Sequence, residues 1–187
     1  MFAVRETRRW AAAIAEHQMS VDAFVATCER VPADLWHVRP APGKWTPASV
    51  VLHVCEAYQL GRDAAAGGAG MRLRVTPLRA WGLRTFLFPL LLLSRRFPRG
   101  VPAPAEVRPD EVASEQLSLT DGIARLRHAA REASSALRGA SDARPLPRMA
   151  HAYFGPLRPR AALRLLSAHT SHHARGLARA IHLAADA

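Results

Sequence analysis

Apolar residues recur at three- and four-residue steps in four stretches of the chain, and each stretch reads as an amphipathic helix. In the first, residues 4–30, Trp10, Ile14, His17, Val21, Phe24, Val25 and Cys28 share one stripe, and Pro32 closes it. Thr46 followed by Pro47 supplies an N-cap and a proline at the first helical position. A second helix is therefore expected over residues 47–62, its stripe carried by Val50, Val51, Val54, Ala57 and Tyr58, with His53 beside it. Leu119, Ile123, Leu126, Ala130, Ala133 and Leu137 predict a third over residues 110–137, stopped by Gly139. The fourth, residues 159–184, sets Leu166, His169, His173, Leu177 and Ile181 on one face.

Gly67, Gly68 and Gly70 break the pattern after the second helix, and residues 67–109 read as an irregular insertion rich in proline. It should hold one or two short helices followed by extended chain. A second proline-rich connection, SDARPLPRMAHAYFGPLRP, leads into the fourth helix. The fold class predicted is all-α: a four-helix up-down bundle with one long insertion between helices two and three. The whole chain, residues 1–187, is expected to form one domain, long enough to bury a substantial core.

Composition supports the class, since Ala, Leu, Arg and Glu recur and β-branched residues are few. The net charge of +11 and isoelectric point near 11.4 would ordinarily suggest an anionic partner. Yet Lys44 is the only lysine, and the arginines are spread along the chain amid abundant alanine, which reads as compositional bias. No specific nucleic-acid partner is expected. Cys28 and Cys55 form neither a CxxC nor a disulfide framework. The opening MFAVRETRRW places charges where a secretory signal needs an apolar run, so the expected location is cytoplasmic. FLFPLLLL, residues 86–93, lies between Arg84 and Arg95 and falls far short of the ~20 residues that span a bilayer. Contiguous apolar surface of this kind seldom remains in water, and a homodimer is one way of covering it.

The chemistry concentrates in the histidines. His169 and His173 lie one turn apart on a face that otherwise carries leucines, so both imidazoles point inward and can close on one metal ion. A stable site needs a further ligand, and His53 on the second helix is the best candidate. Three imidazoles at ~2.0–2.1 Å from a divalent ion leave a coordination position for water or a thiol, the arrangement of catalytic sites. A single buried histidine is more simply explained by hydrogen bonding; the pair plus a third is what points to metal. His172 is turned about 100° from His173, toward the rim. His182 suits the helix C-terminus, and His17, His37 and His128 have no spacing partners. His151, in a loop near Tyr153 and Phe154, is a weaker candidate for lining the site. Ser167, Ser171 and Cys55 fall on other faces than the neighbouring histidines. The chain contains no GxSxG, P-loop, GxGxxG or HExxH, and no catalytic residue is assigned.

Three stretches taken together resemble the DinB-like four-helix-bundle superfamily, which includes bacillithiol and mycothiol S-transferase-type proteins. They are PAPGKWTPASVVLHVCEAY around His53, the insertion ending GVPAPAEVRP, and HAYFGPLRPRAALRLLSAHTSHHARGL. The resemblance implies a metal triad at His53, His169 and His173. It also implies zinc or nickel as the ion, with a low-molecular-weight thiol as cosubstrate for a small-molecule electrophile. Gly176 departs from the glutamine common in relatives, which unsettles any borrowed substrate preference, and Trp45 matches a tryptophan that usually packs the bundle end. A thiol or water bound to such an ion loses its proton near neutral pH, which fits an S-transferase or hydrolase. Two other readings remain: a non-enzymatic protein in which metal fastens helix two to helix four, and a basic nucleic-acid or membrane-surface binder. The last requires the arginines to gather on one face.

Overall fold

The computed structural model of the chain describes residues 2–98, 102–143 and 145–185, and in these the fold is all-α. Four long helices, α1 (Phe2–Cys28), α2 (Pro47–Ala65), α6 (Leu119–Ala140) and α7 (Pro159–Ala185), form the bundle. The shorter α3 (Pro77–Gly82), α4 (Phe88–Ser94) and α5 (Glu111–Gln116) lie in the connections. α1 packs chiefly on α7 and α2 on α6, while α2 against α7 and α1 against α6 close the ring. Phe24, Val51, Leu126, Leu137 and Leu163 fill the space between them. Thr46 caps α2 as expected, its side chain accepting from the Ser49 N–H at 3.0 Å, and Pro47 follows.

Several details differ from the pattern in the sequence. Ile14, assigned to the stripe of α1, is 38% exposed. The expected third helix is two, α5 and α6, because the chain leaves the helical region at Leu117 and Ser118. There the Ser118 hydroxyl accepts from the Asp121 N–H at 3.1 Å and donates to the Asp121 carboxylate at 2.6 Å, starting a new helix. The Trp36 indole N–H donates to the freed Leu117 carbonyl at 2.7 Å. α6 runs through Gly139 to Ala140 rather than stopping before it.

The second proline-rich connection contains a β-hairpin, β1 (Met149–His151) antiparallel to β2 (Gly155–Leu157), with Met149 opposite Leu157. The insertion is tied to this hairpin, since the amides of Met71 and Arg74 donate to the Ala150 and Ala152 carbonyls at 2.9 and 2.8 Å. Gly70 marks the crossing: its φ is +68°, and a Cβ there would come within 2.8 Å of the Ala150 oxygen. Of the expected irregular segment 67–109, residues 99–101 lie outside the described residues. The rest holds α3, a π turn (Leu83–Leu87) and α4 in continuous succession, then extended chain and a 3₁₀ turn (Ala105–Val107). The end of α4 is fastened to the bundle by Arg95, which pairs with Glu16 at 3.1 Å and accepts a hydrogen bond on its carbonyl from Arg175.

A buried polar chain crosses the core from α1 to α7. Thr170 gives its hydroxyl proton to the Leu166 carbonyl, so it accepts from the Tyr58 hydroxyl at 2.7 Å; the Tyr58 oxygen in turn accepts from His17 Nε2–H at 3.1 Å. His17 thus finds a partner that its sequence spacing did not reveal. Tyr58→Phe strands the His17 N–H in a dry interior and should cost about 1–3 kcal/mol, read as a lower urea midpoint with an unchanged slope.

Candidate metal centre

His53 comes from the middle of α2, while His169 and His173 are successive turns of α7. The two helices are in contact, and the three imidazoles meet between them. Nε2 of His169 lies 3.1 Å from Nε2 of His53 and 3.1 Å from Nε2 of His173. No two of the candidate ligand atoms are farther apart than 4.8 Å. Nitrogens bound tetrahedrally to an ion at ~2.0–2.1 Å stand about 3.3 Å apart, so the spacing suits one metal ion.

Tautomer and charge suit it too. His53 donates its Nδ1–H to the Val107 carbonyl at 2.6 Å, which leaves the Nε2 lone pair facing the other two rings. Burial, with a smaller contribution from nearby His172, lowers the His53 pKa against the opposing effect of the Val107 hydrogen bond. His169 and His173 are held well below the usual imidazole range, first by burial and then by their histidine neighbours. All three rings are therefore neutral at physiological pH, the state in which imidazole binds metal. A purely nitrogen donor set favours zinc, nickel, copper or iron over magnesium or calcium.

The triad opens into a cavity of about 540 Å³. Its walls are apolar, contributed by Met71, Leu87, Leu91, Phe97 and Leu165 among others, and Arg79 is the one lining residue, among those described, with a permanent charge. Trp45 leans on His53 with ring centroids 4.7 Å apart and lines the cavity, so it contacts the centre. His172 does not join the triad, but it is half-buried against Phe97 at 5.3 Å and lines the cavity.

The model of the DinB superfamily matches residues 13–176, which include all three histidines. The chain belongs to the DinB superfamily. Neither the curated proteins nor the solved structures gave a match. This DinB superfamily member thus carries its cluster on the second and last long helices of an all-α fold.

The hairpin supplies a residue that spacing alone undervalued. His151 stacks on Phe154 at 4.8 Å, and its Nδ1 accepts from the amides of Tyr153 and Phe154 at 3.2 and 3.3 Å. Burial lowers its pKa to about 4, so the ring is neutral and keeps its proton on Nε2. It lines the same cavity as the triad. Its nearness to two aromatic residues in HAYFGPL was the one signal in the sequence. The Val107 carbonyl could not have been found there, since a backbone acceptor leaves no mark on residue type. Cys55 and Cys28 are wholly buried, and desolvation pushes both thiols up to about 12, which makes them inert hydrophobes.

Proposed function

We propose that the protein is a metal-dependent enzyme of the S-transferase or hydrolase type, with His53, His169 and His173 as ligands of a divalent ion, zinc or nickel. The observation that carries this reading is that the three imidazoles open onto an apolar cavity; no fourth His, Cys or carboxylate joins them among the described residues. The ion would supply Lewis acidity, lowering the pKa of a thiol or water at its open position.

The chain's own residues do the remaining work. Val107 and Trp45 hold His53 in its ring orientation. The cavity's leucines, prolines and aromatic rings exclude bulk water and favour an apolar small-molecule electrophile. Arg79 offers a cation to an anionic substituent, and His151 offers a neutral N–H donor. With an exogenous low-molecular-weight thiol, the sulfur bonds to the electrophilic carbon, the leaving group departs with its electron pair, and the thiol proton passes to solvent.

The test is reconstitution of chelator-stripped protein with zinc or nickel, followed by assay with low-molecular-weight thiols and apolar electrophiles. The expected result is about one metal per chain and turnover that needs both metal and thiol, or metal and water. Stoichiometric metal that raises the melting temperature without any turnover would transfer the site to the purely structural role, fastening α2 to α7.

A further inference from the structure

The segment from α3 through the π turn to α4 is apolar on two opposite faces. Its inner face buries Phe88 against Phe154 and sets Leu83, Leu87 and Leu91 along a wall of the cavity. Its outer face carries Leu78 (77% exposed), Trp81 (53%), Phe86 (68%), Leu90 (61%) and Leu93 (84%). These follow one another at steps of three, five, four and three residues. A five-residue step would turn the stripe aside in a plain α-helix, but it spans the π turn, which takes up the extra residue. Trp81 and Phe86 consequently lie edge to face, centroids 6.3 Å apart.

Charge is not evenly spread here. Between Asp63 and Glu106 the chain has seven arginines and no acidic residue, whereas the whole chain carries a net +11. Arg96 just past the end of the stripe is exposed, as are Arg72 and Arg74 on the extended approach to α3, where the carboxylate beside them is that of Glu106, accepting from the Arg72 amide at 3.0 Å. The combination is that of an interfacial helix: aliphatic and aromatic side chains outward, cations at the margins, and a length too short to cross a bilayer.

We propose that this face docks the protein on an anionic membrane surface, with Leu78, Trp81, Phe86, Leu90 and Leu93 in the headgroup and acyl boundary and the flanking arginines on the lipid phosphates and carboxylates. A second copy of the chain fits the face poorly. A two-fold interface would set one arginine-rich segment against another, with the single Glu106 carboxylate of each too few to offset them. Nucleic acid would satisfy the arginines but leave the apolar stripe in water. The inference is independent of the metal centre, since none of the five outward residues lines the cavity.

Co-sedimentation of the intact protein with vesicles tests it. Phosphatidylcholine vesicles with about one third phosphatidylserine should pull the protein down at least about tenfold more tightly than pure phosphatidylcholine, and high salt should weaken this. Leu90→Gln with Leu93→Gln, both on the exposed face, should cut binding at least about tenfold. Arg72→Gln with Arg74→Gln and Arg96→Gln should abolish the preference for anionic lipid. Far-ultraviolet circular dichroism should show both variants folded. Failure to bind either vesicle overturns the proposal. So does a dimer in sedimentation velocity that the leucine pair splits while vesicles leave the protein in solution. Duplex DNA binding that the arginine changes alone remove, without vesicle binding, reassigns the face to nucleic acid.

Discussion

His169→Ala should reduce metal affinity by more than about 100-fold, while His172→Ala should leave it nearly unchanged. The asymmetry follows from geometry. Nε2 of His169 is the atom 3.1 Å from both of the other candidate ligands, whereas His172, its ring edge to face with His173 at 5.2 Å and beside Phe97 at 5.3 Å, adds no ligand atom to the group. Loss of even an outer partner of a metal-binding histidine costs about 10–100-fold, so loss of the central ligand exceeds that range. With metal at about 100 times its dissociation constant, binding stabilises the fold by about 3 kcal/mol, or roughly 5–10 °C in melting temperature for a chain of this size. That increment should be absent in His169→Ala and present in His172→Ala. Elemental analysis and melts with and without chelator read both quantities. One full equivalent of metal in His169→Ala, or its loss in His172→Ala, would overturn the assignment.

The long helices were legible because burial of one face imposes a period that residue type records, and α2 even announces its start in Thr46–Pro47. The paired histidines were legible for the same reason, standing where leucines stand above and below them on α7. What the period hides is a helix that stops and restarts without losing its stripe: Leu117 and Leu119 are both apolar, and only the extended pair Leu117–Ser118 separates α5 from α6. The hairpin was hidden because its strands are three residues long and contain Pro156, too short for alternation to register. The cavity depends on that hairpin and on the insertion folding back to pair with it, long-range matches that no local pattern encodes. His151 reaches the site only through them, and the oppositely apolar face of α3–α4 reads in sequence as one undivided hydrophobic run.

Acid should destabilise the metal-free protein steeply between about pH 6.5 and pH 4, and His17 should account for a full proton of that dependence. Burial lowers the His17 pKa from 6.5 to about 4. In the unfolded chain the same imidazole titrates near 6.5, so between the two values the unfolded state holds more protons, and stability must fall as pH falls. Below about pH 4 both states are protonated and the contribution is flat. The interval corresponds to about 3 kcal/mol for this one group, with His151, lowered to about 4 by its own burial, adding a loss of the same sign. Two such groups could consume a large share of the ~5–15 kcal/mol that holds a typical domain together. His17→Gln keeps an N–H donor for the Tyr58 oxygen but cannot titrate. Urea unfolding across this range should therefore show its stability falling less steeply than the parent's, by about 1.4 kcal/mol per pH unit at the steepest. Parallel curves for the two proteins would mean that His17 is not held neutral by its burial.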